Sequence, residues 1–253
     1  MAVKIEVCLS PADYLARTAT GLADAVCVVF DVLRATSVMV TGLANGAAGF
    51  VPTAEISLAL ALRTQHPGAL LAGERGGRRI TAVQSGGVTF DLGNSPREYV
   101  PRRIAGRTII STTTNGTRAL RACAPAQSVA AASFLNLSAT ADWLARQTTE
   151  RVMLVCAGTA EFPALEDILA AGALCELLDR PGEAVELLDS AETAVRVYRE
   201  AQLDLFGAVS RSQNGRRLLA DAELREDVAF CLRRDSCGLV ALLGDDGVVR
   251  KSV

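Results

Sequence analysis

Short unbroken apolar runs alternate with amphipathic stretches along most of the chain. Val26-Cys27-Val28-Val29-Phe30 is apolar and β-branched, and a helical pattern follows from Ala35 to about Ala44. Gly49-Phe50-Val51-Pro52 reads as a short strand, and Glu55 to Arg63 as a helix ended by His66-Pro67-Gly68. Ala69-Leu70-Leu71-Ala72 and Arg107 to Ser111 read as strands, the second followed by a helix from Gly116. Ser128–Ala132 and Arg151–Cys156 repeat the pattern, with helices from about Leu137 to Gln147 and from about Leu165 to Leu178. Continuous apolar strands between helices predict an α/β fold whose largely parallel or mixed sheet is covered on both faces.

The last third changes character. From Ala184 to Arg233 only helices are expected: Glu183 to Arg199, Ala201 to Val209, Gly215 to Ala220 and Glu223 to Leu232. Leu239–Leu243 then reads as a strand that turns at Gly244-Asp245-Asp246-Gly247 into Val248-Val249-Arg250, a hairpin. No repeat or long linker interrupts the chain, so residues 1–253 read as a single domain with a helix-rich subregion at about 184–233. Met1 to Val7 alternates as a strand does and does not resemble a signal peptide.

Composition narrows the function classes. The formal net charge is −2 and the arginines are dispersed, which argues against a nucleic-acid surface. No apolar run reaches the length of a membrane span, and a cytoplasmic location is expected. Seven cysteines, an odd number with no Cys-x-x-Cys pair, read as reduced buried thiols rather than as a disulfide framework or a zinc site. The single histidine, His66, belongs to a loop, which largely removes histidine metal clusters and Ser-His-Asp triads. The apolar, aromatic-poor composition is compatible with a homo-oligomer.

In an open α/β sheet ligands bind beyond the carboxyl ends of the strands. Asp31-Val32-Leu33-Arg34-Ala35-Thr36-Ser37 follows the first apolar strand, and Gly73-Glu74-Arg75-Gly76-Gly77 follows Ala69–Ala72. Ser111-Thr112-Thr113-Thr114-Asn115-Gly116-Thr117-Arg118 joins a strand to a helix, and Ala157-Gly158-Thr159 precedes Leu165-Glu166-Asp167. Carboxylate, arginine, hydroxyl and glycine recur at these ends. One such junction is a helix cap; several together suggest a pocket for an anion with a divalent cation. The free N–H groups at a helix start and its dipole favour an anion at Thr113, Thr114, Asn115, Gly116 and Thr117.

Arg34, Arg75 and Arg118 are the candidate oxyanion clamps, against a plainer role as salt bridges at the sheet's rim. Thr36, Ser37, Asn94 and Ser95 are further candidate pocket polar groups. Mg²⁺ takes oxygen ligands, and one or two carboxylates with substrate phosphate suffice, so Asp31, Glu74, Glu166 and Asp167 are its candidate ligands. Glu166 and Asp167, in a first helical turn, also suit simple dipole compensation. Cys156 ends a strand next to a small residue and is a candidate nucleophile, although a buried structural thiol is the commoner arrangement. The signatures of nucleotide loops, haloacid-dehalogenase-type phosphatases and tyrosine phosphatases are missing: Leu33 and Phe162 stand where the last two need Asp and Arg.

Taken in order, Asp31-Val32-Leu33-Arg34-Ala35-Thr36, Gly73-Glu74-Arg75, Phe90-Asp91-Leu92-Gly93-Asn94-Ser95-Pro96, Thr113-Thr114-Asn115-Gly116-Thr117, Cys156-Ala157-Gly158-Thr159 and Leu165-Glu166-Asp167 resemble the 2-phosphosulfolactate phosphatases, the ComB family. The resemblance runs from about residue 26 to residue 180. It implies a three-layer α/β/α fold and Mg²⁺-dependent hydrolysis of (2R)-2-phospho-3-sulfolactate to 3-sulfolactate and phosphate. In methanogenic archaea that step belongs to coenzyme M biosynthesis. It leaves open whether Asp31 serves as metal ligand, base or nucleophile. Two departures stand out: the stretch Arg78–Thr89 is longer than the family's, with an added Gly86-Gly87, and Asn214 stands where the family has histidine. A phosphatase for another small phosphorylated acid and a non-catalytic anion-binding protein are the alternatives.

Overall fold

The computed structural model describes residues 2–180 and 184–252. Strand β1 (Val3–Cys8) is followed by helix α1 (Pro11–Ala19), β2 (Ala25–Phe30), α2 (Ala35–Ala44), β3 (Gly49–Thr53) and α3 (Ile56–Gln65). Next come β4 (Leu70–Arg75), β5 (Arg78–Arg79) and the single turns α4 (Ala82–Ser85) and α5 (Pro101–Ile104). Three strand–helix units follow: β6 (Thr108–Thr112) with α6 (Gly116–Cys123), β7 (Ser128–Ala132) with α7 (Leu137–Leu144), and β8 (Arg151–Cys156) with α8 (Leu165–Leu178). The chain then runs through β9 (Val185–Leu187), α9 (Asp189–Ala201), α10 (Leu205–Ser210), α11 (Gln213–Leu219) and α12 (Arg225–Cys231), and closes the sheet with β10 (Val240–Leu243) and β11 (Val249–Ser252).

The sheet is mostly parallel, in the order β5-β4-β6-β3-β11-β10-β7-β2-β8-β1-β9, with helices on both faces, a three-layer α/β/α arrangement. Alternation along a fully buried strand supplies both layers. In β2, Val26, Val28 and Phe30 join one core with α7, α8 and α9, while Cys27 and Val29 join the other with α2 and α6.

The parallel strands form two groups, β4-β6-β3 and β7-β2-β8-β1-β9, separated by the antiparallel β10–β11 hairpin. Three antiparallel pairings in succession make the two groups run in opposite senses along the sheet. Their carboxyl ends nevertheless meet: an ideal Cβ on Gly116, just beyond β6, would lie 2.6 Å from Asp31 Oδ2, just beyond β2. The sheet must therefore curl, and α2 and α6 fill the concavity, with α2 against β7, β10 and β11 and α6 against β2 and β3. This curl makes one pocket out of the ends of both groups.

Several element boundaries differ from expectation. The expected helix Glu183–Arg199 is instead β9 and α9; Glu183 itself lies outside the described residues. Val185–Leu187 adds to the open edge of β1, pairing Val3 with Val185 and Ile5 with Leu187, so tertiary pairing overrides local helical pattern. Helix α1, absent from the sequence reading, is set by Ser10, whose hydroxyl caps the Asp13 amide while the Asp13 carboxylate accepts from the Ser10 amide. Strand β4 continues past Ala72 to Arg75, so Glu74 is part of the strand rather than of the loop after it. The excursion 78–89 holds β5 and the turn α4, anchored by Arg78 to Asp221 and Arg79 to Glu98, each at 2.6 Å. His66 caps the end of α3 and is exposed. No helix is long and apolar enough to cross a membrane among the described residues.

Helices α8 and α9 meet with little space to spare. A Cβ on Gly172 would lie 2.2 Å from the Ala194 carbonyl oxygen. Gly172→Val should therefore lower stability by about 1–3 kcal/mol through overpacking. Urea denaturation that leaves the midpoint unchanged would contradict this packing.

Candidate functional site

Asp31 lies where β2 ends and α2 begins. Its backbone carbonyl accepts from Thr36 N and its amide donates to the Thr36 hydroxyl, which fixes the turn. Asp31 Oδ1 accepts from Ala35 N, the first residue of α2, at 3.1 Å, and the Gly116 amide that opens α6 also faces the carboxylate. Two helix starts thus point at one side chain. Burial nevertheless pushes the Asp31 carboxyl up to about 6, opposed by the Ala35 amide and reinforced by the charge of Glu74, with a smaller rise from Glu166.

The neighbouring carboxylates are held differently. Glu74 accepts from Thr114 N and Oγ1 at 3.0 and 2.8 Å, and its other oxygen accepts from Gly77 N at 2.7 Å. Asp167 accepts from Val32 N and Gly158 N, one on each oxygen, tying the ends of β2 and β8 together. Burial, then the charges of Asp31 and Glu166, push the Asp167 carboxyl well above the usual range. Glu166 accepts from Asn214 Nδ2 at 2.7 Å through Oε1, and Asn214 also donates to Thr159 Oγ1. Its second oxygen, Oε2, is buried with no partner. Among the described residues no three His, Cys, Asp or Glu side chains stand close enough to enclose an ion unaided.

Asp31 and Glu74 open onto a pocket of about 200 Å³ lined also by Leu33, Arg34, Gly76, Gly77, Asn94, Thr114, Asn115, Thr159, Ala160 and Arg217, whereas Glu166 and Asp167 are buried behind that lining and are not part of it. Arg34, Gly77 and Asn94 also line an adjoining cavity of about 300 Å³ beside the 78–89 excursion. Of the residues singled out from sequence, Asp31, Arg34, Glu74, Asn94, Thr114 and Asn115 line the first pocket.

The other candidates have structural employment. Thr36 and Ser37 are fully buried and bond to the backbone of Asp31 and Val32. Thr113 and Thr117 bond to one another across the first turn of α6. Gly116 is placed by its close approach to Asp31, so the predicted anion cradle holds this chain's own carboxylate. Ser95 donates to Asp227.

The three arginines are also committed. Arg34, 3% exposed, pairs with the fully buried Asp227 at 2.6 Å and donates to the Gly77 carbonyl. Arg75 donates to Thr112 and to the Glu74 and Ala54 carbonyls. Arg118 pairs with the exposed Glu161 at 2.8 Å. Cys156 is wholly buried in the apolar core, where burial and Asp167 push its thiol well above the usual value. That setting suppresses the thiolate a nucleophile requires. All seven cysteines are free and six are buried, as the sequence suggested.

Sequence reasoning missed Asp227 and Arg217. Asp227 accepts from Arg34, Ser95 and Arg97, yet in sequence it is one more acid in a helix's first turn. Arg217 is one of an Arg-Arg pair in a short helix, indistinguishable from a solvated face. The Asn214 departure was legible, and its bond to Glu166 shows what that position does.

The fold and the pocket define an α/β protein with a polar pocket at its strand ends, walled in part by buried carboxylates. The family described as 2-phosphosulpholactate phosphatase matches residues 13–246, and the chain belongs to it. A protein of Caldanaerobacter subterraneus subsp. tengcongensis named "Probable 2-phosphosulfolactate phosphatase" is 39% identical over 227 residues, covering 89% of this chain and 90% of its own length. Proteins of the same name from Thermotoga petrophila and Synechococcus sp. (strain JA-3-3Ab) are 40% and 39% identical. The first pairs 82% of this chain with 84% of its own, the second 88% with 90%.

Two outcomes follow. The folded Asp31 carboxyl keeps its proton to higher pH than the unfolded one, so the folded state binds more protons between the ordinary carboxyl value of 3.8 and about 6. Stability then falls as pH rises through that window, by about 3 kcal/mol for a shift of this size. Asp31→Asn should raise the melting temperature of cation-free protein at pH 7, with the gain shrinking toward pH 4. Equal gains at both pH values would show that Asp31 carries no such burden. Cys156→Ala should leave turnover unchanged; a turnover loss with an intact melting temperature would restore Cys156 as a reacting group.

Proposed function

We propose that the protein hydrolyses 2-phospho-3-sulfolactate to 3-sulfolactate and inorganic phosphate, with Mg²⁺ held by Asp31 and Glu166. Family membership supports the substrate, and the carboxylate of Asp31 at the pocket wall carries the chemistry. The donor set fits a hard cation: the oxygens are all carboxylate, amide or hydroxyl, and Glu166 Oε2 is buried without a partner. Glu74 and Asp167 are each fastened through both oxygens by backbone amides, and Glu74 lines the pocket beside Asp31. Mg²⁺ keeps waters and completes its sphere with phosphate, so two carboxylates suffice. When bound, Mg²⁺ neutralises phosphoryl oxygens.

The residues of the chain do the rest. Asn94, Thr114, Asn115 and Thr159 offer amides and hydroxyls along the wall. Asp31 lines the pocket, and its carboxylate is the group there placed to accept a proton from the attacking water. Asn214 donates to Glu166 Oε1 and so fixes the direction of Oε2. The seven free thiols fit a reducing, cytoplasmic setting.

Phosphate release from 2-phospho-3-sulfolactate should require Mg²⁺ and vanish in excess EDTA. Asp31→Asn should lower kcat about 100-fold or more. Folded protein that releases no phosphate with Mg²⁺ would overturn the reading.

A further inference from the structure

The three arginines that the sequence offers as anion clamps are all engaged elsewhere. Arg34 is neutralised by Asp227, Arg75 faces Thr112 and backbone carbonyls, and Arg118 is paired on the surface with Glu161. Asp31 and Glu74 add negative charge to the same pocket. A substrate bearing several acidic groups needs a cation here whose charge is not already met. Arg217 is that cation: it lines the pocket and has neither an ion-pair partner nor a side-chain hydrogen bond among the described residues.

Its position is built rather than incidental. The guanidinium lies over Gly77, where an added Cβ would meet it at 3.7–3.9 Å. Gly77 is itself pinned by Glu74 at its amide and by Arg34 at its carbonyl. On α11, Arg217 follows Asn214 by three residues, so both share one helix face. Asn214 fastens that face to Glu166 and Thr159, and Leu218, one turn on from Asn214, is buried beside it. The helix that orients Glu166 therefore also aims Arg217.

We propose that Arg217 binds the acidic group of the substrate that does not react, the sulfonate or the carboxylate left on the carbon frame, and so determines specificity. This rests on the phosphatase reading. Both groups present paired oxygens that a guanidinium fork matches and an ammonium does not. The phosphoryl group belongs with Asp31 and the cation. The remaining acid falls to Arg217, the one unmatched positive charge on the wall among the described residues.

The test combines kinetics and binding on wild type, Arg217→Ala and Arg217→Lys. Arg217 is exposed, and unchanged melting temperatures would establish that the variants fold. Arg217→Ala should raise KM for 2-phospho-3-sulfolactate about 10-fold or more with little change in kcat, and Arg217→Lys should recover only part of it. Two analogues separate the acids: 2-phospholactate lacks the sulfonate, and the phosphate ester of 2-hydroxypropane-1-sulfonate lacks the carboxylate. The penalty should vanish with one of them, and that one identifies the group bound. An unchanged KM, or the same penalty on both analogues, would overturn the proposal. Calorimetric titration with 3-sulfolactate, which carries both non-reacting acids and no phosphate, is independent of turnover. If wild type releases no phosphate, the phosphatase reading fails while this titration still decides Arg217. Wild-type binding that is about 10-fold weaker in Arg217→Ala supports the assignment, and equal binding or none refutes it.

Discussion

Buried like charge is the constraint around which this protein is arranged. Asp31, Glu74, Glu166 and Asp167 are all buried, and their charges raise the proton affinity of Asp31 and Asp167. Such a cluster persists only where the backbone meets it with donors. The first amides of α2 and α6 face Asp31, the amides of Val32 and Gly158 hold Asp167, and those of Gly77 and Thr114 hold Glu74. The loops after β2, β4, β6 and β8 are shaped by these contacts. The cluster is thus both the chemical centre and the fastening of the strand ends.

The C-terminal helices belong to that centre as much as the sheet does. Helix α12 places Asp227 against Arg34, Ser95 and Arg97, and α11 places Asn214 against Glu166. Removing one partner of a buried ion pair typically costs 3–5 kcal/mol, because the other charge is left stranded. Arg34 therefore acts first as a fixed strut between the pocket wall and the helical region, and Gly77 is held in place through its carbonyl.

How much could be read from the sequence follows from where the determinants lie. Strands such as Ala25–Phe30 and Arg151–Cys156, and the helix Leu165–Leu178, were legible because burial on both faces writes long apolar runs. The carboxylates were legible because they sit at strand or helix ends with recognisable neighbours. Strand Val185–Leu187 was hidden because only the free edge of β1 makes those three residues a strand. The arginines misled because local spacing shows that a guanidinium is near a pocket but not which carboxylate claims it. Asp227, nearly two hundred positions from Arg34, settles that question through tertiary contact alone. Arg217 carried no local signal for the same reason.

The hairpin of β10 and β11 comes late in the chain but occupies the middle of the sheet. Everything N-terminal to it can form only two separate half-sheets, β4-β6-β3 and β7-β2-β8-β1-β9, with an unfilled slot between them. During synthesis, residues 31 and 116 have already left the ribosome while the segment that brings the two halves together has not. The two half-sheets that carry the pocket's strand ends become one sheet only when the hairpin seats. Long-range closure of this kind makes folding slow and leaves strand edges open in the meantime. A chaperone that shelters those edges would act on the interval between the two halves and their keystone.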